Sequence, residues 1–450
     1  MERLKELKTD IYRCIHCKAC LFAYSGEPSR KGVGEHKGTF GKEGVLYEGM
    51  LRSCPAQIEY GWEAYSNAGK VWIARAVLEG EIELDENVAE VIYPCITCGL
   101  CEEQCENDVR TVDIIEALRA AVLEAGVPAR DKHDLVDGIT KKEDNPYGGK
   151  KVDRMNWVEE AGIDPKILNK KDAKIAYFVG CTAAYRQKNI AGATVKLLQK
   201  VGLDITVLTE EVCCGSPFFR VGKTETAKRL MNDNLALFSN YDMVLFSCAG
   251  CYRTLTIDYP KWTGEKNTFK TMHAMELIAN LVSEGKIEFK EHKDLVGKTV
   301  TYHDPCHTGR HFAEHFKHEL IAESDNLFMD KRKLNKKVED WFEVPRTIIR
   351  ALPGITFNEM YRIKQDSFCC GAGGGVRAQY PEFSLNTASR RLDEAEAVKA
   401  DIMLTECPFC WRNLSDANDR DNHGIPVYGI LELIDTYDLI KGAKATPKKK

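Results

Sequence analysis

Residues 369–375 read Cys369-Cys370-Gly371-Ala372-Gly373-Gly374-Gly375, a cysteine pair followed by four glycines in five positions. Adjacent cysteines do not bridge each other easily, and glycine lets backbone approach something bulky, which here reads as a metal cluster. Outward from the pair, a single Cys306 precedes it and Cys407-x-x-Cys410 follows, so the segment supplies five thiols in the order C, CC, CxxC. The same order stands earlier as Cys181, Cys213-Cys214-Gly215 and Cys248-x-x-Cys251. A duplicated five-cysteine site is expected. The second copy carries an insert of about 30 residues, because 62 residues separate Cys306 from Cys369 against 31 between Cys181 and Cys213.

Short apolar runs lead into these cysteines: KIAYFVGC ending at Cys181, DITVLTEEVCC at Cys214 and YDMVLFSC at Cys248. The second copy repeats the plan with KTVTYHDPC at Cys306, ITFNEMYRIKQDSFCC at Cys370 and ADIMLTEC at Cys407. Each run is a strand candidate, and helical stretches such as ATVKLLQKVG lie between them. Strands alternating with helices predict parallel α/β layers, with ligands beyond the carboxyl ends of the strands, where every one of these cysteine groups stands. The fold class expected is a duplicated α/β domain behind a mainly helical ferredoxin domain.

The ferredoxin reading rests on Cys14-x2-Cys17-x2-Cys20 and Cys95-x2-Cys98-x2-Cys101-x3-Cys105. In bacterial-type dicluster ferredoxins three close thiolates grip one [4Fe-4S] cube and the fourth of each run ligates the other. The first run departs from this, with Tyr24 at the fourth position, and 33 residues separate Cys20 from Cys54-Pro55. Cys54 is taken as the displaced ligand. One cube then takes Cys14, Cys17, Cys20 and Cys105, the other Cys95, Cys98, Cys101 and Cys54. Val71, Ala74, Val77 and Leu78, then Val112, Ile115, Leu118, Ala121 and Val122, fall at helical spacing around the second run. The expected domains are a ferredoxin domain over 1–126, a linker or wrapping segment over 127–172, two α/β copies over 173–295 and 296–438, and a disordered basic tail over 439–450.

At 450 residues, 44% hydrophobic and 29% charged, the composition is globular. A net charge of -5 argues against nucleic acid, whose binding rests on Lys and Arg at phosphates. No leader-like or membrane-spanning apolar run is evident, so a cytoplasmic chain is expected, reaching the membrane's inner face only through a partner. Cysteines in a reducing cytosol point to metal or redox chemistry. Two cubes need eight thiolates and two five-cysteine sites need ten, which uses all 18 cysteines. Structural zinc prefers tetrahedral sets of four and fits five-ligand sets poorly.

The strings FVGCTAAY, EVCCGSP, CAGCYRT, TYHDPCH, FCCGAGGG and CPFCWRNLSD, behind a ferredoxin region, closely resemble the catalytic D subunits of membrane-associated heterodisulfide reductases. The resemblance implies that each C, CC, CxxC set (the CCG domain) holds a noncubane [4Fe-4S] cluster through all five cysteines. Carried over by position, Cys181, Cys213, Cys214, Cys248 and Cys251 hold one, and Cys306, Cys369, Cys370, Cys407 and Cys410 the other. It implies further that the two clusters face each other across a pocket where a disulfide is split, with the heterodisulfide of coenzyme M and coenzyme B as substrate.

The leading expectation is thus an anaerobic iron-sulfur oxidoreductase subunit of heterodisulfide reductase type, served by a flavoprotein or a haem-bearing membrane protein. The competing class is an electron-transfer subunit linking a flavoprotein, dehydrogenase or acyl-CoA oxidoreductase to quinone or another carrier, without a disulfide substrate. No nucleotide or flavin is expected on this chain, since glycines 371–375 lack the G-x-G-x-x-G spacing. An arginine follows each cysteine group: Arg186, Arg220, Arg253, Arg310, Arg377 and Arg412. Guanidinium groups raise the potential of anionic clusters and bind acidic substrates, and Arg220 and Arg377 are the residues expected to do so. His303, His307, His311 and His315 recur every four residues around Cys306. His307 is expected to supply protons to released thiolates, because imidazole titrates near neutrality.

Overall fold

The computed structural model describes residues 1–24, 50–323 and 331–443. Helices Glu2–Glu6, Lys8–Arg13, Asn67–Glu79, Glu86–Ile92 and Thr111–Glu124 form the N-terminal part. Their apolar stripes bury Leu4, Ile11, Val71, Ala74, Ile92, Ile114, Leu118 and Val122 in one core, the packing that an amphipathic 3.6-residue period requires. Ser66 accepts a hydrogen bond from the Gly69 amide at 3.1 Å and so caps the Asn67–Glu79 helix.

The departure at Tyr24 has a structural account. Strands β1 (Phe22–Tyr24) and β2 (Met50–Arg52) pair antiparallel, with Phe22 opposite Arg52. The chain leaves the cysteine run along β1 and returns along β2. The Ser53 amide then bonds to the Leu21 carbonyl at 2.8 Å, and the Ser53 hydroxyl to the Cys20 carbonyl at 2.6 Å. Cys54 is thereby delivered beside Cys20 across the sequence gap.

The α/β region is two four-stranded parallel sheets. The first contains β3 (Ile175–Phe178), β4 (Ile205–Val207), β5 (Met243–Phe246) and β6 (Lys270–His273), in the order β4-β3-β5-β6. A short strand β7 (Ile287–Phe289) follows, and then the second sheet's β8 (Thr299–Tyr302), β9 (Thr356–Phe357), β10 (Ile402–Thr405) and β11 (Val427–Gly429), in the order β9-β8-β10-β11. Matching β3 to β8, β4 to β9, β5 to β10 and β6 to β11, the two orders are the same, so the duplication seen in the cysteines extends to the whole topology. One apolar core runs through both copies, from Phe178, Phe219 and Phe246 to Met403 and Leu414. The insert after Cys306 holds helices Arg310–Glu323 and Lys331–Ala351, and Trp341 of the second donates to the Thr308 carbonyl.

Two expected segments look different in the structure. Residues 127–172, expected as a linker or a wrapping segment, are no open linker. They contain the helix Asp131–Glu143, bury Trp157 fully, and bond to both copies, His133 to the Gly375 carbonyl at 3.0 Å and the Asp144 carbonyl to the Cys213 amide at 2.9 Å. The weak apolar pattern misled because the polar contacts carry no periodicity and the buried apolar residues, Trp157, Val158, Ile163 and Ile167, sit in one short helix and the turns after it. The basic tail does not begin at 439 either: β12 (Ile440–Ala443) pairs antiparallel with β7, and residues 444–450 lie outside the described residues.

Arg119, fully buried in the Thr111–Glu124 helix, ties the three parts together. Its guanidinium donates to the carbonyls of Ile92, Tyr93 and Cys95 at 3.0, 2.7 and 2.7 Å, of Arg220 at 2.8 Å and of Gly374 at 3.0 Å. The partners come from the ferredoxin part and from each α/β copy. Replacing Arg119 by Leu strands these buried acceptors, and we expect denaturant unfolding of the cluster-loaded protein to show a loss of about 3–5 kcal/mol.

Candidate cluster sites

The ten α/β cysteines stand just beyond the sheet strands and the loops that follow them, and nine of them are buried, Cys306 being half-buried. Within the first set the thiols touch in the sequence Cys181, Cys213, Cys214, Cys251, Cys248. The second set repeats it as Cys306, Cys369, Cys370, Cys410, Cys407. The two runs meet where Cys248 contacts Cys407. Cys369 also contacts Cys98 of the ferredoxin part. The sequence shows two sites; the fold joins them end to end and connects one of them to the ferredoxin cysteines.

Desolvation first, then Cys213, pushes Cys181 far above the ordinary thiol range, whereas Cys251 and Cys410 are raised first by hydrogen bonds to the thiols alongside, Cys214 and Cys248 for one and Cys370 and Cys407 for the other, and then by desolvation. Cys214 is drawn down to about 6 because Cys213 and Cys251 donate to it. So many thiols cannot ionise together in a water-poor interior without cations among them. Soft, convergent sulfur sets of this kind fit iron-sulfur groups.

The glycines do a different job from the one expected. A Cβ on Gly374 would stand 2.2 Å from the Cys95 carbonyl oxygen, and one on Gly373 2.6 Å from that of Ile96. What the glycine run admits is the backbone of the Cys95 loop. At Gly180, with φ +75°, a Cβ would lie 2.9 Å from the Cys251 sulfur, so there glycine does make room for one of the clustered thiols.

In the ferredoxin part, Cys14 and Cys20 lie within electrostatic range of Cys105. Cys54 lies within range of Cys95 and Cys98, and Cys101 of Cys98, Cys20 and Cys54. Buried Lys70 sits among Cys54, Cys95 and Cys101 and donates to the Tyr65 carbonyl. Burial lowers the Lys70 pKa and the thiolates oppose that fall. Nothing in the sequence marked Lys70, which reads as one more surface lysine.

Other neighbours also escaped the sequence reading. Arg154, from the supposed linker, places a guanidinium nitrogen 3.7 Å from the Cys181 sulfur and pairs with buried Glu211. Glu211 in turn accepts from the Val179 and Gly180 amides, both at 2.8 Å, and so fixes the turn before Cys181. His303 does not belong to a surface stripe: its Nδ1 accepts from Arg391 at 3.2 Å, and its ring faces Cys370 and Cys410.

Three expectations need correction. Arg220 does not present itself to a ligand, because its buried guanidinium is paired with Glu116 and Asp258. His307 does lie beside Cys306, with His311, but burial first, then Arg220, lowers its pKa from the usual imidazole range to about 4. The histidines also do not form one stripe. His315 and His318 pair with Glu319 and Glu314 at 3.3 and 3.1 Å on the exposed helix face. Arg377 remains partly accessible and is paired with Asp416. Arg310 is turned inward, donating to the carbonyls of Cys98, Gln365 and Ser367 at 3.1, 2.9 and 2.5 Å.

Comparison with known proteins agrees with this architecture. The cysteine-rich CCG domain family matches residues 175–256 and 300–415, and the 4Fe-4S dicluster domain family matches 10–109. The chain is 34% identical over 383 residues to the D subunit of the dihydromethanophenazine:CoB–CoM heterodisulfide reductase of Methanosarcina mazei, covering 83% of this chain and 85% of that protein. Its counterpart in Methanosarcina barkeri is 33% identical over 431 residues, covering 94% and 92%. The B subunit of the CoM/CoB fumarate reductase of Methanothermobacter marburgensis is 30% identical, covering 77% of this chain and 62% of that protein.

Exchanging Lys70 for Met removes a buried positive charge beside Cys54, Cys95 and Cys101. The reduction potential of the group held there should fall, since the reduced, more anionic form loses its counter-charge. A redox titration followed by electron paramagnetic resonance, compared with wild type, checks the sign of the shift.

Proposed function

The chain belongs to the family of heterodisulfide reductase D subunits, and we propose that it reduces an organic disulfide between its two five-thiol sets with electrons drawn through its ferredoxin part. The observation that carries this reading is the continuous run of sulfur contacts from Cys98 through Cys369 to Cys407 and across to Cys248. In this reading Cys14, Cys17, Cys20 and Cys105 hold one cubane cluster, and Cys54, Cys95, Cys98 and Cys101 the other. The noncubane groups belong to Cys181, Cys213, Cys214, Cys248 and Cys251, and to Cys306, Cys369, Cys370, Cys407 and Cys410. When bound, such clusters store and pass electrons singly, and two neighbouring ones together hold the pair that S–S cleavage consumes.

The overall change is RSSR′ plus two electrons and two protons giving RSH and R′SH. The substrate assigned is the CoM–CoB heterodisulfide that the relatives' names carry. The chain's own contribution is placement. Cys248 and Cys407 bring the two sets to a common boundary, Arg154 and Glu211 hold the Cys181 turn, and Cys98 against Cys369 makes the second set the one nearer the electron supply. Electrons reach the ferredoxin part from a partner redox protein, a flavoprotein or a haem-bearing membrane protein. Among the described residues no helix is long and apolar enough to cross a membrane.

The test is anaerobic turnover of the CoM–CoB heterodisulfide with reduced viologen, on protein whose iron has been counted at about sixteen per chain, four for each cluster. Wild type should turn over, and Cys370→Ser or Cys214→Ser should fall to background. Fully loaded protein with no turnover would exclude the disulfide reading.

A further inference from the structure

The duplication gives each copy the same small motif outside its cysteines. The first is Cys248-x-x-Cys251-Tyr252-Arg253 with Asp258, the second Cys407-x-x-Cys410-Trp411-Arg412 with Asp416. Each is joined by an arginine a few residues past the adjacent-cysteine pair of its own copy, Arg220 after Cys214 and Arg377 after Cys370. In both copies the aspartate is held between the two arginines: Asp258 takes Arg220 and, at 2.6 Å, Arg253, and Asp416 takes Arg377 and, at 3.8 Å, Arg412. Beyond this the two sides differ.

On the first side the motif is closed. Glu116, from the ferredoxin helix, pairs with Arg220 and completes a balance of two cations and two carboxylates. All four side chains are at most 6% exposed. On the second side no ferredoxin carboxylate arrives among the described residues. Arg377, Arg412 and Asp416 keep 22, 31 and 39% of their side-chain surface, and a third arginine joins them. Arg186 stands over the Tyr147 ring at 5.3 Å to the centroid, and Arg412 lies 5.8 Å from the centroid of the same ring. Asp416 is the only carboxylate that pairs with any of these three arginines among the described residues. The Nη1 of Arg377 is buried with no hydrogen-bond partner. Tyr147 itself is anchored to Thr182 at 2.9 Å, the residue next to Cys181.

Two guanidiniums at one carboxylate, with a third sharing the Tyr147 ring with one of them, leave an excess of two positive charges at a half-open site, and like charges gathered out of full solvent repel unless an anion joins them. We propose that Arg186, Arg377 and Arg412, with Tyr147 as their platform, form the anion-binding mouth through which a disulfide bearing sulfonate, phosphate or carboxylate groups reaches the facing thiol sets. Glu116 occupies the equivalent place on the other side and shuts it, so the ferredoxin part decides which of two related mouths is used. Guanidinium forks suit such oxyanions because they donate in pairs. That the ligand is a disulfide rests on the function proposed above.

The experiment uses cluster-loaded protein under anaerobic conditions with two probes, the CoM–CoB heterodisulfide and the uncharged bis(2-hydroxyethyl) disulfide. Calorimetric affinity and viologen-coupled kcat/KM are measured for wild type, Arg377→Gln, Arg412→Gln and Arg412→Lys, each with iron counted. Each Gln variant should lower the anionic-to-neutral ratio of kcat/KM, and the affinity for the heterodisulfide, by about tenfold or more, the worth of a charge-assisted hydrogen bond. Arg412→Lys should recover part of the loss while Arg412→Gln does not. An unchanged ratio and affinity in both Gln variants at full iron content would overturn the mouth while leaving disulfide reduction standing. Wild type that binds the heterodisulfide through these arginines yet reduces neither probe keeps the mouth and discards the disulfide chemistry.

Discussion

Ten thiols in one unbroken run of contacts, nearly all shielded from water, set the terms for everything around them. Thiols at this density tolerate ionisation only with cations among them, so the surroundings are built to supply and position charge. Arg154 at Cys181, Arg391 behind His303 and Lys70 among the ferredoxin thiols all follow from that need. Parallel sheets meet it economically, because every strand of a copy delivers its following loop to the same edge. Two copies with one topology then present two such edges to each other.

The ferredoxin part does more than adjoin this pair. It breaks their equivalence. Cys98 meets Cys369 and not its counterpart Cys213, Gly373 and Gly374 receive the Cys95 loop on the second copy alone, and Glu116 neutralises the arginines of the first. Arg119 holds the arrangement in register by bonding to carbonyls of all three parts at once. An internally symmetric α/β body thus becomes unequal, with the second copy both meeting Cys98 and keeping its arginine cluster open, and the first sealed.

Much of this was legible in the residues themselves. The order C, CC, CxxC, twice, specified the duplication and grouped the ten thiols, and the CxxCxxCxxxC run identified the ferredoxin part. The departure at Tyr24 was legible too, but the route along β1 and β2 that brings Cys54 within range of Cys95 and Cys98 was not. The sequence reading fell short where polar contacts join a short, non-periodic set of apolar ones around Trp157. Residues 127–172 look like a linker because Asn145, Tyr147 and Arg154 carry no periodicity, yet Tyr147 and Arg154 stand beside the Cys181 set. Arg220 and Arg377 follow equivalent cysteine pairs and were read as equals; one is sealed by Glu116, 104 residues away in the chain, and the other is not.

By itself, then, the sequence determined the chemistry and its grouping, since ligand identity and spacing are local properties that survive without a fold. It also determined the parallel α/β plan, through strands and helices alternating in register with the cysteines. Tertiary structure alone decided that the two thiol sets join at Cys248 and Cys407, that the second lies against Cys98, and that one arginine cluster is neutralised while its twin stays open. Those outcomes depend on which side chains from distant segments share one dry volume, and the energy of a buried charge is set by such neighbours, not by its place in the chain.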